Sequence, residues 1–136
     1  MKKIFIGIIG TVLFFGCAGV SDIYKDLSNR YMYVDEASKY KYIIFKKANS
    51  ITEQESNTIP CTILEYKFNQ NFIIAKIKFH YDINYGTVGF KESKRLEEGK
   101  IYYYIINTVK NIRYGEFDTY KKFNKRLEVL KVDLSL

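Results

Sequence analysis

The chain is poor in residues that staple, break or ligate, with two cysteines, one proline and one histidine among 136 residues. Two cysteines exclude a disulfide framework. A zinc site takes three or four Cys, His or carboxylate ligands at characteristic spacing, and His80, Cys17 and Cys61 form no such set. The lone Pro60, in a chain that is 47% hydrophobic, excludes disorder over any large part. A P-loop and a dinucleotide glycine motif are also missing, because Gly86-Thr87-Val88-Gly89 lacks both the lysine and the strand-to-helix setting. No metal and no cofactor is therefore expected. Nor is there an apolar run of the roughly 20 residues that a helix needs to cross a bilayer core.

What is present starts with Lys2 and Lys3, followed by a nearly unbroken apolar run from Ile4 to Phe15 that stops at Gly16-Cys17. That order of parts is the layout of an export signal. The small-residue-then-cysteine ending resembles the lipobox of bacterial lipoproteins, with Phe14 and Phe15 standing where that pattern has Leu and a small residue. The resemblance implies a lipid (palmitate-bearing) anchor on the sulfur of Cys17, with 1–16 removed as signal peptide. Two other routes fit the same residues. Gly16-Cys17-Ala18 is a small-x-small site at which ordinary signal peptidase would cut before Gly19 and release the protein, or the segment stays uncleaved as a short anchor. All three export the domain to the extracytoplasmic side of the cell envelope. Once Cys17 is lipidated, Cys61 has no partner, whereas an unlipidated chain would be permitted a Cys17 to Cys61 disulfide.

The formal charge is +7, of which two units lie in the leader. The lysines are scattered, and an exported protein seldom meets nucleic acid, so an anionic membrane or envelope surface, or a protein, is the better partner. Residues 17–28 read as the lipidated cysteine and a tether, and 29–136 as a single domain, the usual size for one core.

Along the chain, Arg30 to Val34 and Lys39 to Lys46 read as strands around a turn at Asp35 to Ser38, and Lys47 to Thr58 as an exposed loop. Thr62 to Phe68 and Phe72 to Tyr81 form the strongest hairpin signal. A two-residue Gln70-Asn71 loop sets Phe68 opposite Ile73, Tyr66 opposite Ala75, Leu64 opposite Ile77 and Glu65 opposite Lys76, so that one face is nearly all apolar. Asp82 to Gly99 is long for a connection and is the first place to look for a contact surface. Ile101 to Asn107 and Ile112 to Tyr114 read as a further hairpin. Asp118 is the expected N-cap of a helix whose Tyr120, Phe123, Leu127 and Leu130 share one stripe. The fold class is α+β, an antiparallel sheet of about five or six strands with a C-terminal helix packed on it.

The segments Ile59-Pro60, Ile63 to Tyr66, Phe72 to Lys76, Tyr102 to Thr108 and Tyr114-Gly115-Glu116-Phe117 with Phe123 are similar to a family of small bacterial lipoproteins whose domain has no assigned function. Glu116 and Ile77 depart from that pattern, which has Pro and a polar residue there. The resemblance implies export and this fold, and no activity.

Chemistry-bearing groups are few. The hairpin register places Cys61 across from His80, a pair able in principle to make a thiolate nucleophile, but Pro60 marks a strand end and no third orienting group follows. The carboxylate pairs Glu97-Glu98 and Glu53 with Glu55 read as solvated loop charge, so no catalytic residue is assigned. Lys76, Lys78 and His80 alternate along one strand face, with Tyr40 and Tyr42 as candidate neighbours. They form the candidate binding surface for anionic glycans, lipid headgroups or an acidic protein. The resulting expectation is a non-catalytic binding or envelope-interaction module. The alternative is an inhibitor or immunity-type lipoprotein that blocks a partner enzyme at the cell surface, with a surface hydrolase third.

Overall fold

The computed structural model describes residues 22–36, 40–46, 57–60, 62–80 and 96–136. Among them, seven strands and one helix follow in order: β1 Ile23–Asp26, β2 Tyr31–Glu36, β3 Tyr40–Phe45, β4 Ile63–Phe68, β5 Phe72–Lys78, β6 Ile101–Asn107, β7 Ile112–Phe117 and α1 Tyr120–Leu130. The α+β class holds, but the single sheet of five or six strands does not. There are two antiparallel sheets, one ordered β1-β2-β3 and one ordered β4-β5-β6-β7.

The layers follow from alternation along β5 and β6. Ile73, Ala75 and Ile77 with Tyr102, Tyr104 and Ile106 point to one side, where they share a core with Tyr31, Ile43 and Phe45 of the three-stranded sheet. Ile74 and Ile105 point to the other side, where they pack with Phe123 and Leu127 of α1. Successive strand residues face opposite ways, so a strand covered on both faces reads as an almost continuous apolar run. The four-stranded sheet is thus the middle layer, and a single sheet cannot account for both cores.

Turn chemistry fixes the hairpins. Asn69 Oδ1 accepts from the backbone N–H groups of Asn71 (2.9 Å) and Phe72 (2.8 Å). Phe68 then faces Ile73, and Tyr66 faces Ala75, as the two-residue loop requires. The register slips beyond Glu65, where Ile63 rather than Leu64 pairs with Ile77. Leu64 is the extra residue of a bulge and is 51% exposed. Asn107 repeats the device between β6 and β7, its Oδ1 accepting from Val109 N (3.2 Å) and Lys110 N (2.9 Å).

Residues 23–26 of the expected tether form β1, which pairs with β2 from Ile23↔Asp35 to Asp26↔Met32. Leu27 N donates to Tyr31 O at 2.8 Å across a three-residue connection, and the turn closed by Tyr31 N donating to Ser28 O at 3.2 Å places Asn29 and Arg30 at φ 48 and 74, both in the left-handed region. Asn29 Nδ2 donates to Gln70 O (2.8 Å) and Thr108 Oγ1 (2.9 Å), tying three turns together at one end of the molecule. The expected exposed loop ends in a buried strap. Asn57 and Thr58 are 5% exposed, Ile59 bridges to Ile43, Tyr31 OH donates to Asn57 Oδ1 (3.4 Å) and Arg113 Nη1 donates to Thr58 O (2.6 Å).

Thr119, not Asp118, caps α1: its Oγ1 accepts from Lys122 N at 3.3 Å, while Asp118 pairs with Lys122 Nζ at 2.7 Å. The helix ends on Lys131 in the left-handed conformation, and the Val132 N–H reaches back to Leu127 O at 3.0 Å. This turn carries Val132, Leu134 and Leu136 onto the α1 side of the core.

Candidate functional site

Among the described residues, those singled out in the sequence lie on both sheets. Lys76 and Lys78 lie on the face of β5 that α1 covers at Ile74, Lys76 half-buried opposite Glu65 and Tyr103, and Lys78 exposed. His80 follows the strand with Nδ1 2.8 Å from Glu98 Oε1, so a carboxylate already engages the third residue of the expected basic face. Tyr40 and Tyr42 belong to the other sheet, on the far side of the middle layer, and Tyr42 OH donates to Glu36 at 3.3 Å. The expected Cys61 to His80 pairing involves a residue outside the described set. Past the bulge, Thr62 exchanges backbone hydrogen bonds with Lys78, one position short of the register that aligned those two residues. Cys61 itself lies outside the described residues, as do Cys17 and 81–95 of the expected contact loop.

Three surface features do emerge. At the end near Gly99, Glu97, Lys100, Tyr102, Glu116, Asp118 and Lys122 line a recess of about 270 Å³. Two of its three carboxylates are paired: the hydrogen bond from Lys122 holds the Asp118 carboxyl below its ordinary value, and the one to Glu97 raises the Lys100 ammonium. At the opposite end, Asn29, Arg30, Thr108, Val109 and Asn111 surround about 330 Å³ beside the polar knot of turns.

The third feature is the seam where edge strands β1 and β4 meet. Lys25 and Tyr33 are cross-strand partners on β1 and β2. The Tyr33 ring stacks on Tyr66 of β4 with centroids 4.6 Å apart. Lys25 Nζ sits 5.8 Å from the Tyr66 centroid and 5.5 Å from that of Phe68, within reach of a cation–π attraction. Burial, then the charge of Asp35 and the neighbouring Tyr66, pushes the Tyr33 phenol up to about 12. Lys25, Tyr66, Lys67, Phe68 and Leu134 line an open groove of about 530 Å³ along this seam. Sequence reasoning missed it because it assigned Tyr66 and Phe68 to a covered face and residues 23–26 to a tether. The usable signal was the Ile23, Lys25 alternation ahead of Asn29.

Among the described residues no helix is long and apolar enough to cross a membrane, and no three His, Cys, Asp or Glu side chains are placed to hold a metal ion.

Two packed antiparallel sheets backed by a C-terminal helix define a small α+β domain with aromatic and cationic surface features. The match to the DUF3997 family, described as a protein of unknown function, spans residues 28–136, and the chain belongs to that family. No curated protein and no solved structure matches the chain.

Proposed function

We propose that the chain is a bacterial lipoprotein: an extracytoplasmic domain anchored to the membrane through Cys17, acting there as a non-catalytic binding module. The observation that carries this reading is the order of Lys2-Lys3, the Ile4 to Phe15 apolar run and Gly16-Cys17, set shortly before a family domain that starts at residue 28. The surface is of the kind that binding uses. Rings and lysines are exposed together along the β1 to β4 seam, while Glu97 and Asp118 of the recess are engaged by Lys100 and Lys122. Growth in radiolabelled palmitate, comparing the wild type with Cys17→Ala, tests the anchor. The wild type should carry label in the membrane fraction and the variant none. Equal labelling of both, or an unlabelled wild type in the cytosol with its leader attached, refutes the reading.

A further inference from the structure

The β1 to β4 seam is where apolar, aromatic and cationic side chains stand exposed side by side. All four residues of β1 are exposed, with Ile23 at 54%, and on β4 Leu64 is at 51% and Phe68 at 38%. Lys25 lies over the Tyr66 and Phe68 rings, Lys67 Nζ donates to the Ser135 carbonyl, and Leu134 closes the groove. Lysine stems and tyrosine rings have an apolar body and a polar tip, the combination that settles at the headgroup level of a bilayer.

We infer that this seam is the face the domain lays on an anionic lipid surface. Ile23, Leu64 and Phe68 enter the headgroup boundary, and Lys25 and Lys67 meet lipid phosphates. The inference rests on the lipid anchor proposed above. Two arguments select the bilayer as occupant. The first is reach: fully extended, the chain from Cys17 to Ile23 spans at most about 20 Å, so the start of β1 stays about that distance or less from residue 17. The second is charge. The chain carries +7, or 7 − 2 = +5 once the leader with Lys2 and Lys3 is removed, and two acids around the seam are engaged elsewhere, Asp26 by Lys46 at 2.6 Å and Asp35 by Lys41 at 3.5 Å. Asp22 before β1, Glu65 on β4 and Asp133 beside Leu134 remain as the acids nearest in sequence, and Glu36 on β2 accepts from Tyr24 OH at 3.4 Å. Each lysine held at an anionic bilayer strengthens partitioning about fivefold.

The chain has no tryptophan, so one introduced indole reports a single position. Leu64→Trp and Phe68→Trp place it in the seam, and Val129→Trp places it on α1, at a site 62% exposed in the layer beyond the middle sheet. The exported, lipid-modified protein carrying each change is reconstituted into phosphatidylglycerol–phosphatidylcholine vesicles with acyl chains brominated near the headgroups. Flotation reads the anchor, and fluorescence quenching reads which face touches lipid. Both seam indoles should lose most of their emission while that of Val129→Trp persists, and adding Lys25→Glu with Lys67→Glu should restore the seam emission. Protein that floats but shows no more quenching at the seam than at position 129 overturns the inference and leaves the anchor standing. Protein that neither floats nor carries palmitate on Cys17 overturns the anchor and this inference together.

Discussion

Phe123→Ala should come close to detaching α1 from the sheet. Phe123 is fully buried, and its ring lies 5.2 Å from Tyr103, 5.9 Å from Tyr120 and 6.3 Å from Phe117, centroid to centroid. Among the described residues, the other buried members of this helix-side cluster are Ile74, Ile105 and Leu127, so truncation removes its largest buried side chain. Core Phe to Ala changes cost about 3–5 kcal/mol, the cavity included, and each lost ring pair is worth about 0.5–1.5 kcal/mol within such totals. Tyr103 and Tyr120 are partly exposed and can lean into the space, so we expect about 4 kcal/mol, a large share of the roughly 5–15 kcal/mol that holds an ordinary domain together. With a urea slope of about 2 kcal/mol per molar, the unfolding midpoint followed by circular dichroism falls by roughly 2 M. Val129→Ala, on the exposed face of the same helix, should stay within about 0.5 kcal/mol. A Phe123→Ala loss under about 1 kcal/mol would show that α1 does not hold the second core, and the layer assignment would be wrong.

Gly115 has φ +125, and a Cβ there would lie 2.9 Å from Tyr103 O and 3.1 Å from Tyr104 Cδ1. Gly115→Ala should therefore cost about 1–3 kcal/mol in thermal unfolding, more than Gly99→Ala, whose added Cβ meets nothing within 4 Å; equal losses would contradict the close approach of β6 to β7. The Tyr33 phenol ionises at 10.0 in an unfolded chain and at about 12 in the folded one, because burial first and Asp35 next disfavour the phenolate. Its contribution is thus fully present below pH 10 and is lost as the pH rises through about 12, so denaturation curves of the wild type weaken over that window while those of Tyr33→Phe weaken less. Parallel curves for the two proteins would refute the assignment.

Patterns that depend on a few neighbouring residues were legible in the sequence. The β5 and β6 runs, the Asn69 turn with its first pairs and the Tyr120, Phe123, Leu127 stripe all follow from local period and turn chemistry. What escaped depends on partners far away in the chain. The alternation in β5 and β6 looks the same whether a second layer or water covers a face, so the three-stranded sheet could not be separated from the four-stranded one. The bulge at Leu64 moves a side chain by one position without a glycine to mark it. β1 was hidden because Asn29-Arg30 takes positive φ at an arginine, which no turn preference advertises. Thr119 displaced Asp118 as cap because the acid is drawn to Lys122 instead. The seam needed both sheets in place before Lys25 could be seen over Tyr66 and Phe68.

Among the described residues, every ladder joins a strand to its nearest neighbour in the chain, β1 to β2 to β3 and β4 through to β7. Apart from the long connection between β5 and β6, each pairing therefore closes a comparatively small loop, and the entropy of closure grows only slowly with length. A chain wired this way can zip up hairpin by hairpin from either end, with docking of one meander on the other left as the late and slower event.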